Sequence, residues 1–324
     1  MRKRMIACGE LEVSRLGLGT ATWGFPGTED DAVNQLRTFA DAGGTLIDTA
    51  YNYGKGESER IIGDVLAKVL KREDFVIATK SGVVPGRHPM RIDASRERLL
   101  VQLEESMRRL RVEHVDLWQV HAWDDSVPIE ETLGALESAI KAGKVRVGGV
   151  CNYRSSHLEQ VVAAQYSIGN AMLATLQLEY SLLQRNVERR VLPAARRLNL
   201  GILPWGPLGR GVLTGKYLSG IPESKKKSFF FGWYVQDYAA DIRCAHVVSE
   251  VVRSAEELGI APAAVALSWL RDRPGVIAPL IGARSVTQLV ESLFSESLDL
   301  PEEIRQRLDM VSAVPVGPKV ERSM

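Results

Sequence analysis

Short apolar runs alternate along the chain with polar or glycine-bearing breaks and with segments of helical period. The apolar runs are LGLGT from Leu16, TLIDTA from Thr45, FVIATK from Phe75 and VDLWQVH from Val115. They continue with VRVGGV from Val145, LATLQL from Leu173, LGILPW from Leu200 and VIAPLI from Val276. Between them the spacing predicts helices over 30–42, 58–70, 95–109, 130–142, 156–165, 188–197, 262–271 and 286–295. Asp93, Ser155 and Ser285 are expected as N-caps. The runs are apolar throughout rather than alternating, as strands covered on both faces should be.

Eight strand–helix units at near-regular spacing predict a parallel sheet and, by number, a closed (β/α)₈ TIM barrel. The rival is an open doubly wound sheet with a dinucleotide fingerprint. GLGTATWG from Gly17 has the first two glycines of that fingerprint but no third at the required spacing, so it does not fit. Two pieces fall outside the eight units. RMIACGELEVSRL reads as a short N-terminal β-hairpin that covers the barrel's bottom. Segment 206–241 reads as a long glycine-rich loop after strand seven, of a length usual for functional or disordered loops. No linker or repeat divides the chain, so 1–324 is expected to be a single barrel domain.

The totals add limits rather than direction. The 324 residues are 45% hydrophobic and 25% charged, with a formal net charge of +1. That balance gives no electrostatic reason to expect nucleic acid or an anionic membrane as partner. No apolar run approaches the roughly 20 residues that cross a bilayer, and the apolar stretch after MRKR is too short for a signal peptide. Cys8, Cys151 and Cys244 are odd in number and far apart, which disfavours a disulfide framework or a zinc site. A cytoplasmic setting is the expectation.

In a barrel of this kind chemistry gathers where strands end and βα loops begin. Strand two ends in Asp48, strand three in Lys80 and strand four in His121, and Tyr53 lies in the loop after strand two. Taken singly, each has a bland reading as cap, surface lysine, core histidine or packing aromatic. Together at successive strand ends they suggest an acid–base group. A lysine ammonium stabilises a phenolate and so lowers the pKa of a tyrosine; Asp48 would keep Lys80 charged and oriented. A neutral His121 would hydrogen-bond an incoming oxygen. Such a set is a general acid for an oxygen gaining negative charge, and it requires a partner that delivers electrons. No metal-ligand cluster is visible, so a nicotinamide hydride is the economical source.

These residues lie in motifs that resemble the aldo-keto reductase superfamily: LIDTAYNYGKGESE, IATKSG, LWQVH, GKVRVGGVCNY, LQLEYSLL, PLGRGVLTGKY and LIGARSVTQLVES, in order across nearly the whole chain. The resemblance implies a barrel that binds NADPH (NADH as alternative) over its rim, with Asp48, Tyr53, Lys80 and His121 as catalytic tetrad. It implies cofactor contacts from Thr22, Trp23, Asp48, Asn152, Gln177 and Trp205, the last stacking on the nicotinamide. Further contacts are expected from Gly206, Leu208, Gly209, Gly211 and Lys216 on the long loop, and from Gly282, Arg284, Gln288 and Glu291 after strand eight. Arg284 is the expected partner of an adenosine 2′-phosphate. Cys151 replaces the family's usual serine, and Ser292 stands where asparagine is common. Trp23 and Trp123, which follow strands one and four, are expected to face the rim and, with Tyr53 and His121, to wall a site for a small carbonyl substrate. The aromatic stretch 225–238 is a candidate lid, with a partner-binding patch as the alternative. The implied activity is NADPH-dependent reduction of an aldehyde or ketone. The alternatives are an NAD(P)-dependent sugar or alcohol dehydrogenase and a weakly active NADPH-binding sensor or subunit.

Overall fold

The computed structural model describes residues 1–6, 9, 11–24, 29–86, 91–168, 173–223 and 235–314. An antiparallel hairpin, β1 (Lys3–Ile6) and β2 (Leu11–Ser14), opens the chain. Then come β3 (Gly17–Gly19), α1 (Glu29–Asp41), β4 (Leu46–Asp48), α2 (Glu57–Lys68) and β5 (Val76–Ser81). A small hairpin, β6 (Val83–Val84) and β7 (Arg91–Ile92), precedes α3 (Arg96–Leu110), β8 (Val115–Val120), α4 (Ile129–Lys141) and β9 (Val145–Cys151). The chain continues through α5 (Ser155–Ile168), β10 (Leu173–Glu179), α6 (Val191–Arg197), β11 (Gly201–Trp205), α7 (Val235–Ala240) and α8 (Ile242–Leu258). It ends with α9 (Pro262–Arg271), β12 (Leu280–Ile281), α10 (Val286–Leu293) and α11 (Glu302–Val311).

Eight strands form one sheet in the order β11-β10-β9-β8-β5-β4-β3-β12, every neighbouring pair parallel. Closure comes from the eighth apolar run. Val276 pairs with Ile202 of β11, the Ile277 N–H donating to the Ile202 carbonyl at 2.8 Å, while Leu280 and Ile281 pair with β3. Pro279 divides the two pairings because it has no N–H to give a ladder. The result is the expected (β/α)₈ barrel.

Strand alternation explains the two apolar layers. One set, including Leu46, Val76, Ala78, Leu117, Val147, Leu203 and Leu280, fills the barrel together with Ile6, Leu11 and Val13 of the hairpin, which plugs the bottom as expected. The other set, including Ile47, Ile77, Trp118, Val120, Val150 and Leu176, packs against the helices. The expected helices form, with ends moved by a few residues. Helix α6 starts later than expected because 186–188 make a 3-10 turn instead. Ser285 caps α10, accepting the Gln288 N–H; Asp93 instead accepts from Ser95, and Ser155 is already the first residue of α5. Helices α7, α8 and α11 were not anticipated, α7 lying within the segment read as a loop. Asp241 caps α8 by accepting the Arg243 N–H, and Gly259 ends it in the left-handed region (φ 65°). Among the described residues no helix is long and apolar enough to cross a membrane.

Candidate active site

The parity that fills the barrel also points side chains at the rim. Counting by twos from the interior residues leads from Leu46 to Asp48, from Ala78 to Lys80, from Val147 to Cys151 and from Leu203 to Trp205. The same count from Leu117 leads through Gln119 to His121. On β10 the count would turn Gln177 outward from Ala174, but the pairing register shifts between Leu173 and Thr175. That irregularity brings Gln177 inward, where its Nε2 donates to Asp48 Oδ1 at 2.8 Å.

Lys80 is the centre of the group. It is fully buried, and its Nζ donates to Asp48 Oδ2 at 2.7 Å, to the Thr49 carbonyl at 2.8 Å and to the Tyr53 hydroxyl at 3.3 Å. Burial, the largest single influence, pulls the lysine pKa down; Asp48, Tyr53 and Cys151 together outweigh it and hold Lys80 above its ordinary value. The His121 ring stands edge-on to the Tyr53 ring with centroids 5.9 Å apart. Burial, aided by the Lys80 charge, lowers the His121 pKa to about 3, so the ring is neutral at physiological pH. Its Nδ1 is buried without a hydrogen-bond partner among the described residues.

For Tyr53 the expected lowering of the pKa is corrected. Lys80 does pull it down, but burial pushes it up by more, and the net direction is upward. In the protein without ligand the phenol therefore keeps its proton at neutral pH.

Around this group the amides are already employed. Asn152, at a left-handed φ of 62°, donates through Nδ2 to the His121 carbonyl at 3.0 Å and to Cys151 Sγ at 3.1 Å. Its Oδ1 accepts the Trp205 indole N–H at 2.8 Å. Asn152 thus joins the ends of β8, β9 and β11. Trp205 is half-buried, and the Arg210 guanidinium lies over its ring, 5.4 Å from the centroid. Arg210, itself at φ 55°, was passed over inside the glycine motif; a cation set between Gly209 and Gly211 was the available signal. Glu179 was missed too. It shares the inward parity of Gln177 and accepts the Tyr238 hydroxyl at 2.9 Å, tying α7 to β10.

The two expected anion-binding loops come together. Lys216 Nζ lies 5.1 Å from the Tyr217 ring centroid, and the Arg284 charge acts on the Tyr217 hydroxyl. Gly211 sits at φ 89°, a backbone region that favours glycine, and a Cβ there would fall 2.5 Å from Lys216 Nζ and push the lysine tip aside. Gly206 and Gly209 share the left-handed region, and Leu208 leads into the 3-10 turn Gly209–Thr214. On the facing loop Gly282 and Arg284 are exposed at the start of α10, the Arg284 N–H donating to Gln288 Oε1 at 3.0 Å. Glu291 is exposed beside Gln288, whereas Ser292 is buried and donates to the Gln288 carbonyl at 2.9 Å. Thr22 Oγ1 reaches the Ala283 carbonyl at 3.4 Å, joining the first and eighth loops.

The expectation for Trp23 is corrected. It is 1% exposed and packed into the main hydrophobic cluster, so its indole is covered rather than presented as an open wall. Trp123 is half-buried, stacked on His157 with centroids 4.2 Å apart, and donates through Nε1 to Asp125 at 2.7 Å. Of the candidate lid 225–238, residues 225–234 lie outside the described residues. Among the described residues no cluster of histidine, cysteine, aspartate or glutamate could hold a metal ion.

A family model described as the aldo/keto reductase family matches residues 15–313. The Bacillus subtilis (strain 168) protein named aldo-keto reductase YhdN is 31% identical, the match covering 98% of this chain and 97% of the relative. A putative voltage-gated potassium channel subunit beta from Schizosaccharomyces pombe is 30% identical over 95% of this chain and 92% of its own. The structure of the glycerol dehydrogenase AKR11B4 from Gluconobacter oxydans superposes with a TM-score of 0.81 at 30% identity, covering 99% of both chains. The chain belongs to the aldo/keto reductase family. It is an oxidoreductase of the NAD(P)H-dependent type.

Proposed function

We propose that the protein reduces a small aldehyde or ketone to its alcohol, with NADPH as reductant and Tyr53 as proton donor. The observation that carries this reading is the buried ammonium of Lys80, held by Asp48 at 2.7 Å and in contact with the Tyr53 hydroxyl at 3.3 Å. The residues on the rim fit a nicotinamide dinucleotide. Trp205 offers a half-buried ring, Gly211 leaves room where a side chain would strike Lys216, and Lys216 and Arg284 bring two cations to Tyr217. Arg284 at the start of α10 suits a 2′-phosphate and hence NADPH over NADH.

NADPH held by these residues would supply a hydride to the carbonyl carbon. The oxygen then becomes an alkoxide, comparable in basicity to hydroxide, whose conjugate acid has a pKa of about 15.7. Tyr53, whose pKa burial raises, is protonated at neutral pH and so holds the proton that this oxygen takes up. Lys80 stabilises the phenolate left behind, and Asp48 with the Thr49 carbonyl prevents Lys80 from turning away. His121, neutral and with an unpartnered ring nitrogen among the described residues, is free to hydrogen-bond the substrate oxygen. Asp48 is fixed from its other side by Gln177. In this reading 1–324 is one barrel domain, with 206–241 as a loop of it.

The test is consumption of NADPH by the purified protein with a panel of aldehydes and ketones, in wild type and Tyr53→Phe. Loss of the general acid is expected to lower kcat by about 10²–10⁴-fold while NADPH still quenches protein fluorescence. Full activity in Tyr53→Phe would sink the reading. A second reading, alcohol oxidation, draws support from the likeness to a protein titled a glycerol dehydrogenase. Rates measured in both directions separate the two.

A further inference from the structure

Glu59 lies six positions after Tyr53 in the sequence, on the face of α2 that meets the sheet, and is fully buried. Such a carboxylate is expensive to bury unless it is paired. Burial pushes its carboxyl above the usual range, against opposing hydrogen bonds and the charge of Arg109. Its two oxygens are used separately. Oε1 accepts the Thr79 hydroxyl at 2.7 Å, and Oε2 accepts Arg109 Nη1 at 3.1 Å. Thr79 is the residue before Lys80; alternation turns its side chain out toward α2 while Lys80 points in.

Arg109, from α3, grips the Tyr53 loop. Its Nη1 also donates to the Tyr51 carbonyl at 3.0 Å, its guanidinium lies 4.4 Å from the Tyr51 ring centroid, and Nη2 reaches Glu105 at 3.2 Å. Glu105 in turn accepts the Tyr51 hydroxyl at 2.7 Å. On the far side of the loop Gly56 closes on the same guanidinium; a Cβ there would meet it at 2.6 Å. The Tyr51 N–H donates to the Lys80 carbonyl at 2.9 Å, so loop and strand also meet directly. One buried ion pair thus holds the strand that carries the ammonium and the loop that carries the phenol.

We infer that Glu59 and Arg109 are positioning residues that fix the separation of Lys80 and Tyr53 from behind the sheet, and through it the rate of proton transfer. The inference rests on the reading that Tyr53 is the proton donor. Misplacing a reacting group by a fraction of an ångström to an ångström costs about 10–10²-fold in rate.

The experiment compares Tyr53→Phe, Arg109→Lys, Thr79→Val and Thr79→Ser in carbonyl reduction at saturating NADPH. Arg109→Lys keeps the charge but cannot bridge Glu59 and the Tyr51 carbonyl in one plane. Thr79→Val keeps the shape of the side chain and removes only its bond to Glu59, so it carries the test if the arginine variant does not fold. Both are expected to lower kcat about tenfold, with the Kd for NADPH unchanged and a larger solvent deuterium isotope effect on kcat. Thr79→Ser, which keeps the hydroxyl, restores the wild-type rate. If Tyr53→Phe abolishes reduction while folded Thr79→Val keeps wild-type kcat and isotope effect, the positioning role is overturned and the proton-donor reading stands. If Tyr53→Phe itself retains full activity, both fall.

Discussion

Cys151 stands on the inward parity of β9, in contact with Asn152 and close to Gln177, the partner of Asp48. Its sulfur accepts from Asn152 at 3.1 Å and lies 3.8 Å from Gln177 Oε1, a weak donor contact at most. Burial drives the thiol pKa up to about 12; the Lys80 charge opposes this and Asp48 adds to it. Alkylation needs the thiolate, and at neutral pH a group with that pKa holds only about one thiolate in 10⁵. Cys151 is therefore inert although it lies beside a buried ammonium. Iodoacetamide at neutral pH should leave it unmodified in the native protein and label it once guanidinium has unfolded the chain, as peptide mass spectrometry reads directly. Rapid native labelling of Cys151 would mean that the floor of the site is open to solvent. The same environment keeps His121 uncharged, so the site holds one buried cation, Lys80, paired with one carboxylate, Asp48.

At the scale of elements, the loops after β11 and β12 bring the charges of both Lys216 and Arg284 to bear on Tyr217, and α10 begins there with Ser285 as its cap. A cation on the loop leading into a helix N-terminus is an arrangement for an anion rather than for the helix, whose dipole disfavours positive charge at that end. Arg284→Ala should raise the Kd for NADPH about tenfold or more, the worth of a charge-assisted hydrogen bond, and leave NADH binding nearly unchanged. Fluorescence titration with the two cofactors checks it, and equal losses for both would place Arg284 away from the 2′-phosphate. These loops were legible because GPLGRGVLTGKY and GARS concentrate glycine and positive charge locally. Asp48, Lys80 and His121 were legible for a related reason, each being a polar residue that ends an apolar run. Contributions that depend on how two elements meet were not. Gln177 was named through its motif, but its bond to Asp48 was not foreseeable, because it turns inward only by the register shift at the start of β10. Arg109 and Glu59 read as ordinary charges on amphipathic helices, and nothing local distinguishes a charge that faces a buried partner from one that faces water. Trp23 was misplaced on the same ground, since its position after β3 does not reveal that the chain there folds back onto Gly54 and Glu57.

At the scale of the whole molecule, the barrel separates its tasks by end. The eight-strand pattern and the covering hairpin were readable because each strand is apolar on both faces and each break is polar. The pattern could not indicate that the eighth run splits between two neighbours, because closure is a property of the assembled sheet. At the end away from the site, Leu11 is 2% exposed and packs with Ile6 and Val13 against Leu46, Val76 and the other inner residues of the barrel. Strand ends on this side contribute to stability, while those on the rim carry chemistry. Leu11→Ala removes apolar volume from a closed interior that has little freedom to collapse around it, and is expected to cost about 2–5 kcal/mol. A lower urea midpoint with an unchanged slope would report that loss. In the folded fraction, KM and kcat should stay at wild-type values, because the layers of Ala78, Leu117 and Val147 lie between the plug and Lys80. A variant that kept its stability but lost activity would mean that the hairpin communicates with the rim, contrary to a barrel whose packed interior insulates one end from the other.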